Sequence, residues 1–122
     1  MSDPTDKRRH LRLLARLDVR LTRPAPGQDV PPDLQAVTVD VSVGGLLCAC
    51  NVRLEPQTML RVTLTLVGGD LRQPATLEAE ARVRRCSERL GAPGSRRYEV
   101  AMEFVRMAPQ DKQRLQAYLN NL

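Results

Sequence analysis

Apolar and polar residues alternate in short blocks through most of this sequence. Leu17, Val19 and Leu21 interleave with Asp18, Arg20 and Thr22, the period of two expected of a strand buried on one face. Pro24 to Pro32, with Gly27, then forms a proline-rich loop that neither strand nor helix can cross. Val37, Val39 and Val41 mark a second strand that ends in a turn at Asp40, Ser42 and Gly45. If that valine row faces the core, Asp40 and Ser42 point outward. Leu46 to Cys50 reads as a strand returning antiparallel, and Leu60, Val62, Leu64 and Leu66 alternate cleanly up to a hairpin or short loop at Gly68 and Gly69. Leu77, Ala79, Ala81 and Val83 alternate with Glu78, Glu80, Arg82 and Arg84; a loop at Gly91 to Ser95 follows, then Tyr98, Val100, Met102 and Phe104. Six strands at short spacing with no helix between them predict an antiparallel barrel. The pattern then changes period. Pro109 suits a first helical turn, Asp111 suits a helix N-terminus, and Leu115, Tyr118, Leu119 and Leu122 form one stripe at helical spacing. The fold expected is all-β dominated, a six-stranded antiparallel barrel with a C-terminal helix over one open end.

At 122 residues the chain suits a single domain, expected over residues 7–122 after a flexible polar leader at residues 1–6. The net charge of +5 comes almost entirely from arginine and favours an anionic partner: nucleotide, nucleic acid or anionic lipid. Three cysteines, Cys48, Cys50 and Cys86, cannot all pair within one chain, and no leader of the secretory kind precedes the domain, so a cytoplasmic location is expected. No apolar run reaches the roughly 20 residues that a membrane-spanning helix needs. Cys48 and Cys50 point to one face of a strand and can begin a metal site, but His10 is the single histidine and zinc usually takes four nitrogen or sulfur ligands. They read instead as small buried hydrophobes, with no metal expected. Nor is a catalytic constellation visible. His10 sits in a basic run, no cysteine has a recognisable histidine partner, and Glu78 and Glu80 read as an exposed strand face. A binding protein is expected, not an enzyme.

Two short motifs carry the candidate chemistry. Arg8 and Arg12 are spaced as RxxxR in KRRHLRL, and Asp40, Ser42 and Gly45 stand in DVSVGG. Arginine is a planar, permanently charged fork that binds phosphate, grips the O6/N7 edge of guanine and stacks on a base. Four-residue spacing lets two such groups converge on one ligand. A carboxylate beside a hydroxyl can accept from guanine's ring N–H and amine while donating to an acceptor, and Gly45 lets the backbone turn sharply or approach a ligand closely. The conjunction points to a guanine-bearing, doubly phosphorylated ligand. A second basic group, Arg82, Arg84, Arg85, Arg89, Arg96 and Arg97, reads as a solvated strand face; near the motif site in space it would extend the ligand surface or dock an acidic partner.

RxxxR followed, after a strand and loop, by DxSxxG resembles the PilZ domain, the bacterial receptor module for cyclic di-GMP. The likeness runs from Lys7 to Leu122 and includes YEVAMEFVRMAPQDKQRLQAYL, which is similar to the family's last strand and closing helix. By this resemblance Arg8 and Arg12 wrap the phosphates and engage the guanines, Asp40, Ser42 and Gly45 line the other side, and Lys7 and Arg9 are auxiliary contacts. Lys7 can help hold a second, intercalated dinucleotide. Because the arginines precede the first strand in a segment with no partner of its own, they are expected to be ordered by the ligand; the resemblance further implies a receptor that acts on a partner in motility, polysaccharide synthesis or virulence, without a cofactor. Ala101 stands where the family often has Gly, and Ala108 where a Ser would cap the helix. Two other readings remain: a nucleic-acid-binding barrel, which would lack exposed aromatics for stacking, and a PilZ-like interaction module that binds no nucleotide.

Overall fold

Every alternating block forms a strand. The computed structural model describes residues 17–23, 33–68, 71–89 and 97–120; the leader, the loop from Pro24 to Pro32 and the loop from Gly91 to Ser95 lie outside the described residues. In order come β1 (Asp18–Thr22), β2 (Asp33–Ser42), β3 (Gly45–Cys50), β4 (Met59–Leu66), β5 (Ala75–Glu88), β6 (Tyr98–Met107) and α1 (Pro109–Asn120). The sheet closes on itself in the order β1-β2-β3-β6-β5-β4, with each neighbouring pair antiparallel. Leu21, Leu60, Leu64, Leu77, Val83 and Val100 fill its interior, the inward positions that the alternation assigns.

The helix docks where β4 ends and β5 begins. Leu115, Tyr118 and Leu119 join the same core cluster as the strands. The Tyr118 hydroxyl donates to the Val67 carbonyl, just beyond β4, and the Asp111 carboxylate accepts from the Glu78 N–H at 3.3 Å. Asp111 therefore ties the first helical turn to β5. The Ala108 carbonyl accepts the first helical bond, from Lys112 N–H at 3.0 Å, and its methyl offers the free N–H groups no cap.

Strand β2 departs from the expected valine row. Leu34, Ala36 and Thr38 face the interior, while Val37 and Val39 are half-buried. Only Val41 of the three valines is fully buried. The cause is a β-bulge: the β2–β3 register shifts between Thr38 and Asp40, so one extra residue swaps the parity of everything after it. Strand β2 also begins earlier than the valines suggest, because Leu34 and Ala36 pair with Leu21 and Val19 of β1.

The β5–β6 ladder shifts register twice, between Glu80 and Ala81 and between Val83 and Arg85. The latter shift and the β2 bulge lie beside the candidate site.

Candidate functional site

The bulge in β2 sets the site's orientation. After it, Val41 pairs with Leu46, Leu46 with Met102 and Met102 with Val83, a fully inward row. Directly opposed residues of antiparallel strands share a face, so the adjacent row points out: Asp40 to Leu47, Leu47 to Ala101, Ala101 to Arg85. A carboxylate thus stands at one end of a four-strand row and a guanidinium at the other, with a small apolar floor between them. These residues, with Ser42, Gly45, Leu46 and Met102, line one cleft of about 250 Å³. Asp40 lies deep in it, only 8% exposed.

The turn after β2 shapes the cleft's rim. Ser42 Oγ accepts from the Gly44 N–H at 3.3 Å and donates to the Gly45 carbonyl at 3.4 Å. Both bonds are at the long end of the useful range, so a ligand can take over the hydroxyl at small cost. Gly45 has a structural reason to lack a side chain. A Cβ there would run into the Met102 carbonyl oxygen and sit 3.2 Å from Glu103 Cα; the residue makes room for β6, and its backbone is not in the left-handed region. The Gly44 carbonyl accepts from the Phe104 N–H at 2.9 Å, fastening the turn to the same strand.

Thr38 fixes where the chain enters the barrel. Its Oγ1 accepts from the Leu17 N–H at 2.8 Å, and its own N–H donates to the Leu17 carbonyl at 2.9 Å. The ladder is thereby carried one residue past the Asp18–Val37 pair, and the basic N-terminal segment joins the barrel two residues from Asp40 along β2.

The structure brings Asp40, Ser42 and Gly45 together, as the motif implied. Arg8, Arg12, Lys7 and Arg9 lie outside the described residues. The second basic group divides. Arg84 pairs with Glu103 at 3.5 Å and Arg97 with Glu88 at 3.7 Å, both exposed. Arg85 instead lines the cleft and makes no ion pair with any described residue. Sequence reasoning grouped it with its neighbours because the β5 bulge that separates Arg84 from Arg85 leaves no mark in the residue pattern.

The cysteines are free thiols. Burial pushes the Cys48 thiol far above its ordinary value, with the neighbouring Cys50, Cys86 and Glu99 adding to the effect. Burial also raises Cys50, partly offset by a backbone hydrogen bond from Val52. Such thiols are poor nucleophiles and poor metal ligands.

A second cleft, of about 400 Å³, lies where α1 leaves β6 and mixes Arg61 and Arg106 with Glu78, Glu80 and Asp111. Glu80 is flanked by Arg61 on β4 and Arg106 on β5's other neighbour, β6, and the two arginines face three carboxylates. No described helix is long and apolar enough to cross a membrane.

Comparison with known proteins agrees with this architecture. No curated protein matches the chain. The inhibitor of motility MotI/DgrA of Bacillus subtilis superposes with a TM-score of 0.72 at 22% identity, over 93% of this chain and 50% of that one. The chain thus spans about half the length of that protein. The PilZ domain of Escherichia coli YcgR, solved with c-di-GMP, gives a TM-score of 0.65 at 16% identity over 94% and 91% of the two chains. The PilZ domain of CeSA from a cellulose-synthesizing bacterium gives 0.58 at 18% identity, covering 89% and 94%. At these identities the likeness is one of fold. The PilZ domain family model matches residues 6–121, nearly the whole sequence, and the chain belongs to the PilZ domain family.

Proposed function

We propose that this protein is a cyclic di-GMP receptor that changes shape on binding and regulates a partner protein. The observation that carries the reading is the cleft in which Asp40, Ser42 and Gly45 meet, beside the point where the basic N-terminal segment enters the barrel. Five Cα–Cα steps lead from Arg12 to Leu17, at most about 17 Å of chain, so its guanidinium is in reach of the cleft. Arg8 follows one helical turn or four extended residues further out. In this reading Asp40 and Ser42 take a guanine edge, while Arg8 and Arg12 close over the phosphates from the other side, with Lys7 and Arg9 adding charge.

The switch follows from that division. Half of the site is built on rigid strands and half is delivered by a segment leading into them, so the ligand joins the two and the surface of the bound protein differs from the free one. The YcgR PilZ domain is a structure with c-di-GMP, which supports the ligand, and MotI/DgrA is an inhibitor of motility, which supports a regulatory output; action in trans on motility, polysaccharide or virulence machinery in the cytoplasm is part of the proposal.

A nucleic-acid reading has the net charge in its favour but no stacking surface. Tyr118 is in the core, and Tyr98 and Phe104 pack against it; with no tryptophan, these are all the aromatic residues of the sequence. Salt separates the two. Equilibrium binding of a fluorescent cyclic di-GMP between low and high salt should weaken gently, as befits two phosphates, whereas a single-stranded oligonucleotide should bind weakly throughout. Tight oligonucleotide binding with a steep salt slope, and none of the dinucleotide, would reverse the assignment.

A further inference from the structure

The cleft holds a feature that the two motifs do not account for. Arg85 stands on the same outward row as Asp40, with Leu47 and Ala101 between them, and all four line the cleft. Three strand spacings separate the ends, about 14 Å between Cα atoms, and arginine is long enough to lean over the floor from its side. The β5 bulge places it there, by shifting the register between Val83 and Arg85 so that Arg84 turns to Glu103 and Arg85 to the cleft.

Chemically the two ends are opposites, and so are the two edges of guanine. The ring N–H and exocyclic amine form an all-donor edge that suits a carboxylate, and O6 with N7 forms an all-acceptor edge that suits a guanidinium fork. Adenine offers neither edge: an acceptor replaces the ring N–H, and a donor replaces O6. At about 250 Å³ the cleft is below the ~300–1,000 Å³ usual for whole drug-sized ligands, the size for one base with the rest of the ligand outside.

We propose that Arg85 is a specificity-determining residue of this site, gripping the O6/N7 edge of the guanine whose donor edge rests on Asp40, over the floor of Leu47 and Ala101. The inference rests on the receptor reading above and adds to it a base-reading residue that lies in neither motif. Alanine at 101 matters to it, because a larger side chain on β6 would fill the floor between the two charged ends.

Calorimetry on the full chain tests it with cyclic di-GMP and with its 7-deaza analogue, in which C–H replaces N7. The variants are Arg85→Ala, Arg85→Lys and, as a control one residue away with the same loss of charge, Arg84→Ala. Expected is a loss of about tenfold or more for Arg85→Ala, little recovery in Arg85→Lys, which keeps charge without the fork, and no change in Arg84→Ala. With the analogue, the wild-type protein should fall toward the variant and the Arg85→Ala penalty should shrink. Equal binding by wild type and Arg85→Ala would overturn the role of Arg85 and leave the receptor reading standing. An undiminished penalty with the analogue would overturn the edge assignment. Absence of wild-type binding to cyclic di-GMP would overturn both. Arg85 is exposed, so its variants should melt with the wild type by circular dichroism.

Discussion

Gly45 is a motif residue with a reason of its own. The β3–β6 ladder pairs it with Glu103, and a methyl there would meet the Met102 backbone oxygen, which cannot move aside without breaking the ladder. Gly45→Ala should therefore destabilise the protein by about 1–3 kcal/mol with no ligand present, read as a lower urea midpoint at unchanged slope. An unchanged midpoint would mean that the glycine serves the ligand alone. Cys48 makes a second prediction at this scale. Its native thiol is held far above the ordinary 9.0 by burial, so above pH 9 the unfolded chain releases a proton that the native chain keeps. The stabilisation is complete below pH 9 and declines as pH rises beyond it. Unfolding midpoints at pH 8 and pH 10 should fall in the wild type and fall less in Cys48→Ala; parallel declines would contradict the assignment.

Element by element, the bulges matter as much as the strands. Alternation alone identified the cores of β4 and β5, because Leu60, Val62, Leu64 and Leu66 and then Leu77, Ala79, Ala81 and Val83 keep one parity and are all buried. In β2 the same logic chose the wrong face for Val37 and Val39, since the register shift after Thr38 exchanges inside and outside within one strand. A bulge has no residue signature of its own, and neither the inward Thr38 nor the site-facing Arg85 was legible without the pairing. That Asp40 and Ser42 share a face was legible, because side chains two apart on a strand do; Gly45 joins them because the ladder pairs it with Ser42. Thr38 also joins β2 to β1. Thr38→Val keeps the shape but leaves the buried Leu17 N–H without its acceptor, a cost of about 1–3 kcal/mol. Denaturation should show this loss, and cyclic di-GMP binding should weaken as well, because the segment carrying Arg12 is anchored there; full affinity in a folded Thr38→Val protein would separate the anchor from the site.

At the scale of the molecule, closure of the barrel by β1 and β4 removes the free strand edges by which many sheets recruit partners. What the described barrel offers instead is an exposed wall bearing charged clefts, one of them next to the entry of a basic segment. Since the sheet is closed and the helix is docked on it, the signal in the proposed function would pass through the segment. The central claim is that cyclic di-GMP joins the two. Isothermal titration calorimetry of the wild type beside Arg12→Ala and Asp40→Ala tests it most directly, with GTP as a control ligand. The account predicts saturable binding at micromolar affinity or tighter, about −8.2 kcal/mol or better, lost in both variants while the fold is kept and absent for GTP. No heat at high ligand concentration, in a protein shown to be folded, would contradict it.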